Sequence, residues 1–339
     1  MAIPLRAKIG MGVGALRHRL FGACAPLNVM LAVTDHCNNR CAYCRIPELA
    51  RPDPPLEKLQ DLIRQMRRAG TWRLGIWGGE PLIRNDIGEI VATAKSLGMY
   101  VTIDTNGAFV DRHLDTLQNC DHVVVAYDGR RQAHQNNRCV GSHEAAVHAL
   151  ETLAGRVDLW TITVLTKYNL GEVDHILDLA ERVGFACTFQ VVHHNSVLGA
   201  PISDFLPDTK ELRDVLGQII ARKEAGAPVA NSVAYLEYLR AWPDFHHPQS
   251  PDPVGDLACL AGELYCNVDV DGSVYPCSLL IGLQEAPNAF ELGFRRAFDG
   301  LQRHNCEACN ASCYVEYNHL FALDPAVIWA WTKAMRKRP

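Results

Sequence analysis

Between residues 27 and 192, six short apolar runs alternate with stretches of helical spacing. The apolar runs fall at 27–33, 73–77, 100–104, 122–127, 159–165 and 187–192. Helical spacing follows at 56–69, 86–97, 112–118, 142–153 and 171–183. Gly70 and Gly98 are placed to stop the first two helices, and Ser142 to cap the fourth. Strands joined through helices pair in parallel, because each crossover returns the chain to the same end of the sheet. Six such units predict an α/β fold, a partial (β/α)6 barrel whose sheet stops short of closure and leaves a lateral opening for substrate. Functional residues of such a sheet collect at the C-terminal ends of its strands. Those ends carry a cysteine loop after strand one, Gly78-Gly79-Glu80 after strand two, and Asp104 and Asn106 at strand three. Asp128 follows strand four, Lys167 and Asn169 strand five, and His193-His194-Asn195 strand six.

The cysteine loop, V-T-D-H-C-N-N-R-C-A-Y-C, spaces Cys37, Cys41 and Cys44 as C-x-x-x-C-x-x-C. Three thiolates can hold three irons of a [4Fe–4S] cluster and leave the fourth iron without a protein ligand, where such clusters normally have four cysteines. Taken alone, the loop also suits part of a zinc site or a redox motif. With an aromatic, Tyr43, just before the last cysteine, it resembles the cluster loop of the radical S-adenosylmethionine (SAM) enzymes. Trp77-Gly78-Gly79-Glu80-Pro81 is similar to that family's G-G-E-P segment and lies one β-α unit downstream; Thr105-Asn106-Gly107 resembles its ribose-side strand end.

The resemblance implies that the open iron is chelated by SAM, which is cleaved reductively to a 5′-deoxyadenosyl radical that abstracts hydrogen from an unactivated C–H. It implies Cys37, Cys41 and Cys44 as metal ligands, Gly78 and Gly79 as backbone that approaches the methionine moiety, and Glu80 as acceptor for its ammonium. The Tyr43 backbone would meet the adenine, and Asn106 the ribose or carboxylate. A dehydrogenation needs a base, for which Asp128 stands first, ahead of Tyr127, His193 and His194.

After two helices expected at 208–223 and 232–240, residues 242–253 are rich in proline and read as a linker. The boundaries are then 1–26 for an N-terminal segment, 27–242 for the barrel and 254–339 for a small Cys-rich domain. Asp271-Gly272 between apolar runs at 267–270 and 273–275 signals a two-residue hairpin. The order Cys259, Gly272, Cys277, then Cys306-x-x-Cys309 resembles the auxiliary-cluster extension called twitch or SPASM. It implies a second iron–sulfur cluster, on Cys259, Cys277, Cys306 and Cys309, with Cys313 able to replace one of them and Cys266 the weakest candidate. A zinc site with the same ligands is the alternative. That cluster would take an electron from the substrate or orient it.

Composition narrows the setting. The chain has 339 residues, net charge −5, and thirteen cysteines grouped at metal-ligand spacings. That gives no argument for nucleic acid, and suits a reduced cytoplasm better than a disulfide scaffold. No apolar run has transmembrane length, and no signal peptide is evident. The first twenty-odd residues are basic and apolar, with no acidic residue before Asp35. They suit an interfacial helix on an anionic membrane, or else a helix that closes the barrel floor or simply turns a solvated basic face outward. The apolar face is not wide, and Gly10, Gly12 and Gly14 weaken a long helix, which favours the second. A last helix at 326–335 ends in basic residues that suit its dipole.

Fewer than forty residues precede Cys37, too few for a leader-peptide-binding domain, and no cobalamin domain fits. This points to a small-molecule or amphiphilic substrate of lipid, tetrapyrrole or isoprenoid type. The alternatives are a peptide maturase and a non-enzymatic electron carrier, which would not need G-G-E-P. A reductant such as flavodoxin or ferredoxin is implied as partner.

Overall fold

The computed structural model describes residues 5–193, 197–302 and 305–324. His194, Asn195 and the helix expected at 326–335 lie outside the described residues. Six parallel strands form the body: β1 (Asn28–Ala32), β2 (Arg73–Trp77), β3 (Tyr100–Thr105), β4 (His122–Ala126), β5 (Leu159–Leu165) and β6 (Ala186–Val191). They pair in sequence order, as the alternating pattern predicts.

The helices are α1 (Leu5–Phe21), α2 (Ile46–Leu49), α3 (Leu56–Ala69), α4 (Ile87–Ser96), α5 (Leu114–Asn119), α6 (Arg131–Asn137), α7 (Ser142–Leu153) and α8 (Val173–Val183). Then follow α9 (Thr209–Glu224), α10 (Val233–Arg240), α11 (Ala289–Leu292), α12 (Phe294–Asp299) and α13 (Ser312–Phe321). α3 shows why the barrel helices form where they do. Leu59, Leu62, Ile63 and Met66 recur at helical spacing and are buried, and Gly70 ends the helix at φ +110°. At α7 the expected cap is corrected. Gly141 is the cap residue, and Ser142, already helical, donates its hydroxyl back to the Cys139 carbonyl at 2.7 Å.

Two further expectations change. Four short strands follow the barrel: β7 (Gln249–Ser250), β8 (Tyr265–Val268), β9 (Val274–Tyr275) and β10 (Ala308–Cys309). β8 pairs in parallel with β1, so the Cys-rich region extends the barrel's own sheet. Its hairpin is not two-residue. Val268 faces Val274, which leaves residues 269–273 in the connection, and Arg51 holds that loop through Asp269 at 2.6 Å. The proline-rich stretch is not a loose linker either. Trp242 and Phe245 are buried, and β7 pairs with β10.

The expected lateral opening is occupied by α13. Its Ser312 reaches Gln190 on β6 at 3.1 Å, Tyr314 reaches Asn267 on β8 at 2.8 Å, and Tyr317 reaches Arg73 on β2 at 2.6 Å. The register places Met30, Gly75 and Thr102 side by side on the lumen face, and a Cβ on Gly75 would lie 2.2 Å from the Met30 sulfur.

Candidate active site

The cysteine loop leaves β1 and is pinned from three sides. The β1–β2 ladder continues into it: Val33 N–H donates to Trp77 O (3.0 Å), Gly79 N–H to Thr34 O (2.7 Å) and Glu80 N–H to His36 O (2.8 Å). Ala42 N–H donates to Asn137 O on α6 at 3.0 Å. On the third side Ala200 N–H donates to the Tyr43 carbonyl at 3.2 Å and Arg45 N–H to Leu198 O at 2.8 Å.

This explains the glycine pair. A Cβ on Gly78 would sit 2.3 Å from Thr34 O, and one on Gly79 2.2 Å from His36 O; Gly78 also has φ +142°. The backbone of the cysteine loop itself therefore already requires glycine at both positions.

Glu80 is 1% exposed. One carboxylate oxygen accepts from Leu82 N–H (3.0 Å) and the Thr105 hydroxyl (2.7 Å), the other from Asn106 N–H (2.7 Å). Burial pushes its carboxyl up to about 7, against the pull of those hydrogen bonds. As an acceptor for a ligand ammonium it is already largely occupied, and its side chain ties the end of β2 to the end of β3. Asn106 then points its amide at the loop, 2.9 Å from Asn38 Oδ1 and 3.8 Å from Cys37 Sγ.

Asp128 is fully buried. Its carboxylate accepts from Arg138 Nε at 2.8 Å and from Val164 N–H at 2.9 Å. Arg138 in turn lies over the Tyr43 ring, 5.9 Å from its centroid, and acts electrostatically on Cys41. The contacts with Arg138 and Val164 tie the Asp128 carboxylate to its neighbours. Tyr127 is committed to His175, with its hydroxyl 3.1 Å from Nε2. His193 is buried and bonded to Val191 O at 2.7 Å, and burial lowers its pKa. Asn169 bonds the carbonyls of Asp128 and Val164, so it also supports the frame. Lys167 lies over the Tyr168 ring, 5.2 Å from its centroid.

Local pattern gave no sign of Arg138, Arg51 or the lumen setting of Asp104. Asp104 sits on β3 in line with Asn106, half-buried, and its carboxylate makes no hydrogen bond among the described residues. Burial pushes its carboxyl up to about 6 despite the charge of Arg73. Cys313 feels both Asp104 and Arg73 and itself acts on Cys277 and Cys309, so this thiol lies between the lumen and the Cys-rich region.

The Cys-rich region brings four thiols to one cavity, lined by Cys259, Cys277, Cys306 and Cys309 with Gln249, Tyr265 and Tyr314 around them. Gln249 Nε2 lies 3.6 Å from Cys306 Sγ. Cys266 is buried within β8 beside Val29 of β1, and neither it nor Cys313 lines the cavity.

Burial raises the thiols of Cys37, to about 11, of Cys44, to about 12, and of Cys41, Cys277, Cys306 and Cys309. Metal binding therefore displaces protons. Among the described residues, only His18, Cys24 and Glu263 bring three ligand atoms within 4.8 Å of one another. Four thiolates on one zinc, at bonds of about 2.3 Å, sit closer together than that. The wider spacing of both cysteine sets suits a cube of iron and sulfide better than a single zinc ion.

Residues 31–180 match the Radical SAM superfamily. Mycofactocin maturase MftC of Mycobacterium ulcerans (strain Agy99) is 28% identical over 270 residues, covering 77% of this chain and 70% of that protein. Among solved structures, Streptococcus suis SuiB bound to S-adenosylmethionine superposes with TM-score 0.67 at 17% identity, over 83% of this chain and 67% of SuiB. The structure of anSMEcpe with bound AdoMet and Cp18Cys peptide gives TM-score 0.61 at 15% identity, over 91% of this chain and 99% of that one. No helix among the described residues is long and apolar enough to cross a membrane. The strand-end motifs and the parallel six-stranded body agree with that match: residues 31–180 of this chain form a radical SAM domain, a kind of domain that uses a [4Fe–4S] cluster with S-adenosylmethionine.

Proposed function

We propose that this enzyme is a peptide maturase, which oxidises or crosslinks a carbon of a peptide substrate. The observation that carries it is one sheet with a three-cysteine loop beyond β1 and a four-cysteine cavity beside β8, β1's parallel neighbour. Support for a peptide comes from the likeness to a maturase over 77% of the chain and from a fold neighbour solved with a peptide bound. The tilt towards a small molecule is accordingly withdrawn as the main reading. A lipid-like substrate remains second, favoured by the apolar residues that α1 exposes.

Bound at Cys37, Cys41 and Cys44, a cluster with S-adenosylmethionine would supply one-electron cleavage and hydrogen-atom abstraction. The chain's residues do the rest. Arg138, set by Asp128, holds Tyr43 and Cys41 in place. Gly78 and Gly79 let the loop lie against β2, and Glu80 locks that arrangement to β3. Asn106 faces the Cys37 side of the loop, where a polar ligand group would meet it. Asp104, unengaged and facing the lumen, is the proton acceptor we assign in place of Asp128. Cys259, Cys277, Cys306 and Cys309 would hold the auxiliary cluster that takes the second electron. The enzyme would work on the cytoplasmic side, drawing electrons from a flavodoxin or ferredoxin, with α1 as the element that reaches any membrane surface.

The test is anaerobic reconstitution with iron and sulfide, reduction, and product analysis with short peptides encoded beside the gene and, separately, with small-molecule extracts. 5′-Deoxyadenosine together with a peptide lighter by two hydrogens supports the reading. Turnover of an extract component with no peptide changed overturns it.

A further inference from the structure

α1 is built inside out. A helix on a soluble protein normally turns its large apolar side chains inward. Here the inward face is small. Ala7 and Ala15 are buried, while Gly10 and Gly14 lie so close to Trp72 and Leu27 that a Cβ would sit 1.9 Å and 2.3 Å from those side chains. Glycine inside a helix costs about 1 kcal/mol against alanine, so its use at both contacts marks a packing that fixes which side faces out.

The outward face is large and apolar. Leu5, Ile9, Val13, Leu16 and Leu20 fall in one helical stripe and are 46–71% exposed; Phe21 at its end is 78% exposed. Soluble monomers rarely leave contiguous apolar patches beyond a few hundred Å² uncovered. At 100° per residue, Arg6 and Arg17 fall along one edge of this stripe and Lys8 and Arg19 along the other. All four are exposed, and α1 contains no acidic residue. The helix is held against rolling by His18, 3.2 Å from the Glu263 carboxylate, and by Arg19, which donates to Ala322 O at 3.0 Å.

We propose that α1 is an in-plane anchor for a bilayer containing anionic lipids. The stripe enters the boundary between headgroups and acyl chains, and the two basic borders meet the negative headgroups. Charge complementarity selects this occupant. A second copy of the helix on the same stripe would bring basic borders against basic borders. The inference goes beyond the peptide reading and holds whichever substrate the barrel takes.

The experiment is flotation of the full reconstituted chain with phosphatidylcholine vesicles, with and without a phosphatidylglycerol fraction of about one third. Expected is flotation with the anionic vesicles, at least tenfold stronger than with phosphatidylcholine alone and weakened by added salt. The triple variant Ile9→Ser, Val13→Ser, Leu16→Ser loses at least tenfold in binding while its melting temperature and iron content stay unchanged, since these side chains are already exposed. The variant Arg6→Gln, Lys8→Gln, Arg17→Gln loses the preference for anionic vesicles. Absence of wild-type flotation, or equal flotation of the serine variant, overturns the proposal. So does light scattering that shows a dimer dissolved by the serine variant while no vesicles bind, which would assign the stripe to a second copy.

Discussion

The guanidinium of Arg51 reaches Asp269 across 218 positions of sequence, with Nη1 2.6 Å from a carboxylate oxygen. The same group holds Asp35, Nε at 2.7 Å and Nη2 at 2.9 Å. Asp35 stands two residues before Cys37, and Asp269 opens the loop that leads through β9 to Cys277. One side chain thus joins the approaches to both cysteine sets. Arg51→Met leaves two nearly fully buried carboxylates without their cation, and a loss of roughly 3 kcal/mol in urea unfolding is expected, with iron content reduced at both sites. Arg51→Lys restores little of it, because one ammonium cannot reproduce the paired fork. Unchanged stability in Arg51→Met would show that the clamp carries no weight.

Asp128→Asn separates a positioning group from a base. As a positioning group its loss frees Arg138 and disturbs the loop, so iron content at Cys37, Cys41 and Cys44 and cleavage of S-adenosylmethionine fall together. A destabilisation of about 3 kcal/mol accompanies them, since Arg138 is left buried and unpaired. If cleavage and iron stay at wild-type level while only product formation stops, the residue is a base after all.

Gly79→Ala tests the contact between loop and strand. Its Cβ would lie 2.2 Å from a backbone carbonyl, which cannot swing aside as a flexible side chain would. Expected is a loss of about 2–3 kcal/mol in stability and failure to assemble the first cluster, with the C-terminal iron retained. Gly171→Ala, where nothing lies within 4 Å of the added Cβ and φ is outside the left-handed region as at Gly79, serves as the comparison.

The two raised carboxyls set a pH dependence. Glu80 moves to about 7 and Asp104 to about 6, both through burial. Each binds its proton more tightly folded than unfolded. The contribution is therefore fully present below the ordinary carboxylate range, near 4, and is lost as pH rises through about 6 and then about 7. Unfolding midpoints measured across that window should decline more steeply for wild type than for Asp104→Asn or Glu80→Gln. Parallel curves would remove both assignments. Activity runs the other way, because Asp104 accepts a proton only when ionised: turnover should rise through about pH 6 in the wild type and lose that inflection in Asp104→Asn.

Much of this was legible in local pattern. The limits expected for the second and fifth strands and for the helices at 56–69 and 142–153 coincide with β2, β5, α3 and α7, because glycine stops and β-branched runs act within a few residues. The four cysteines first chosen for the auxiliary site are the four that line its cavity. What escaped depends on distant partners. The pairing of β8 with β1 spans more than two hundred residues, and nothing within β8 names its neighbour. The Asp128–Arg138 pair ties the carboxylate expected as a base to a cation that no local pattern singles out. α1 forms despite three glycines, because two of them meet Trp72 and Leu27, which only the folded body supplies.

That late pairing of β8 bears on how the chain is made. β1 is made more than two hundred residues ahead of β8, and one of its edges stays bare until Val268 has emerged. An uncovered strand edge invites misplaced partners. The Cys37 loop thus hangs from an unfinished sheet until then, and cluster insertion belongs after the seventh parallel strand has covered that edge.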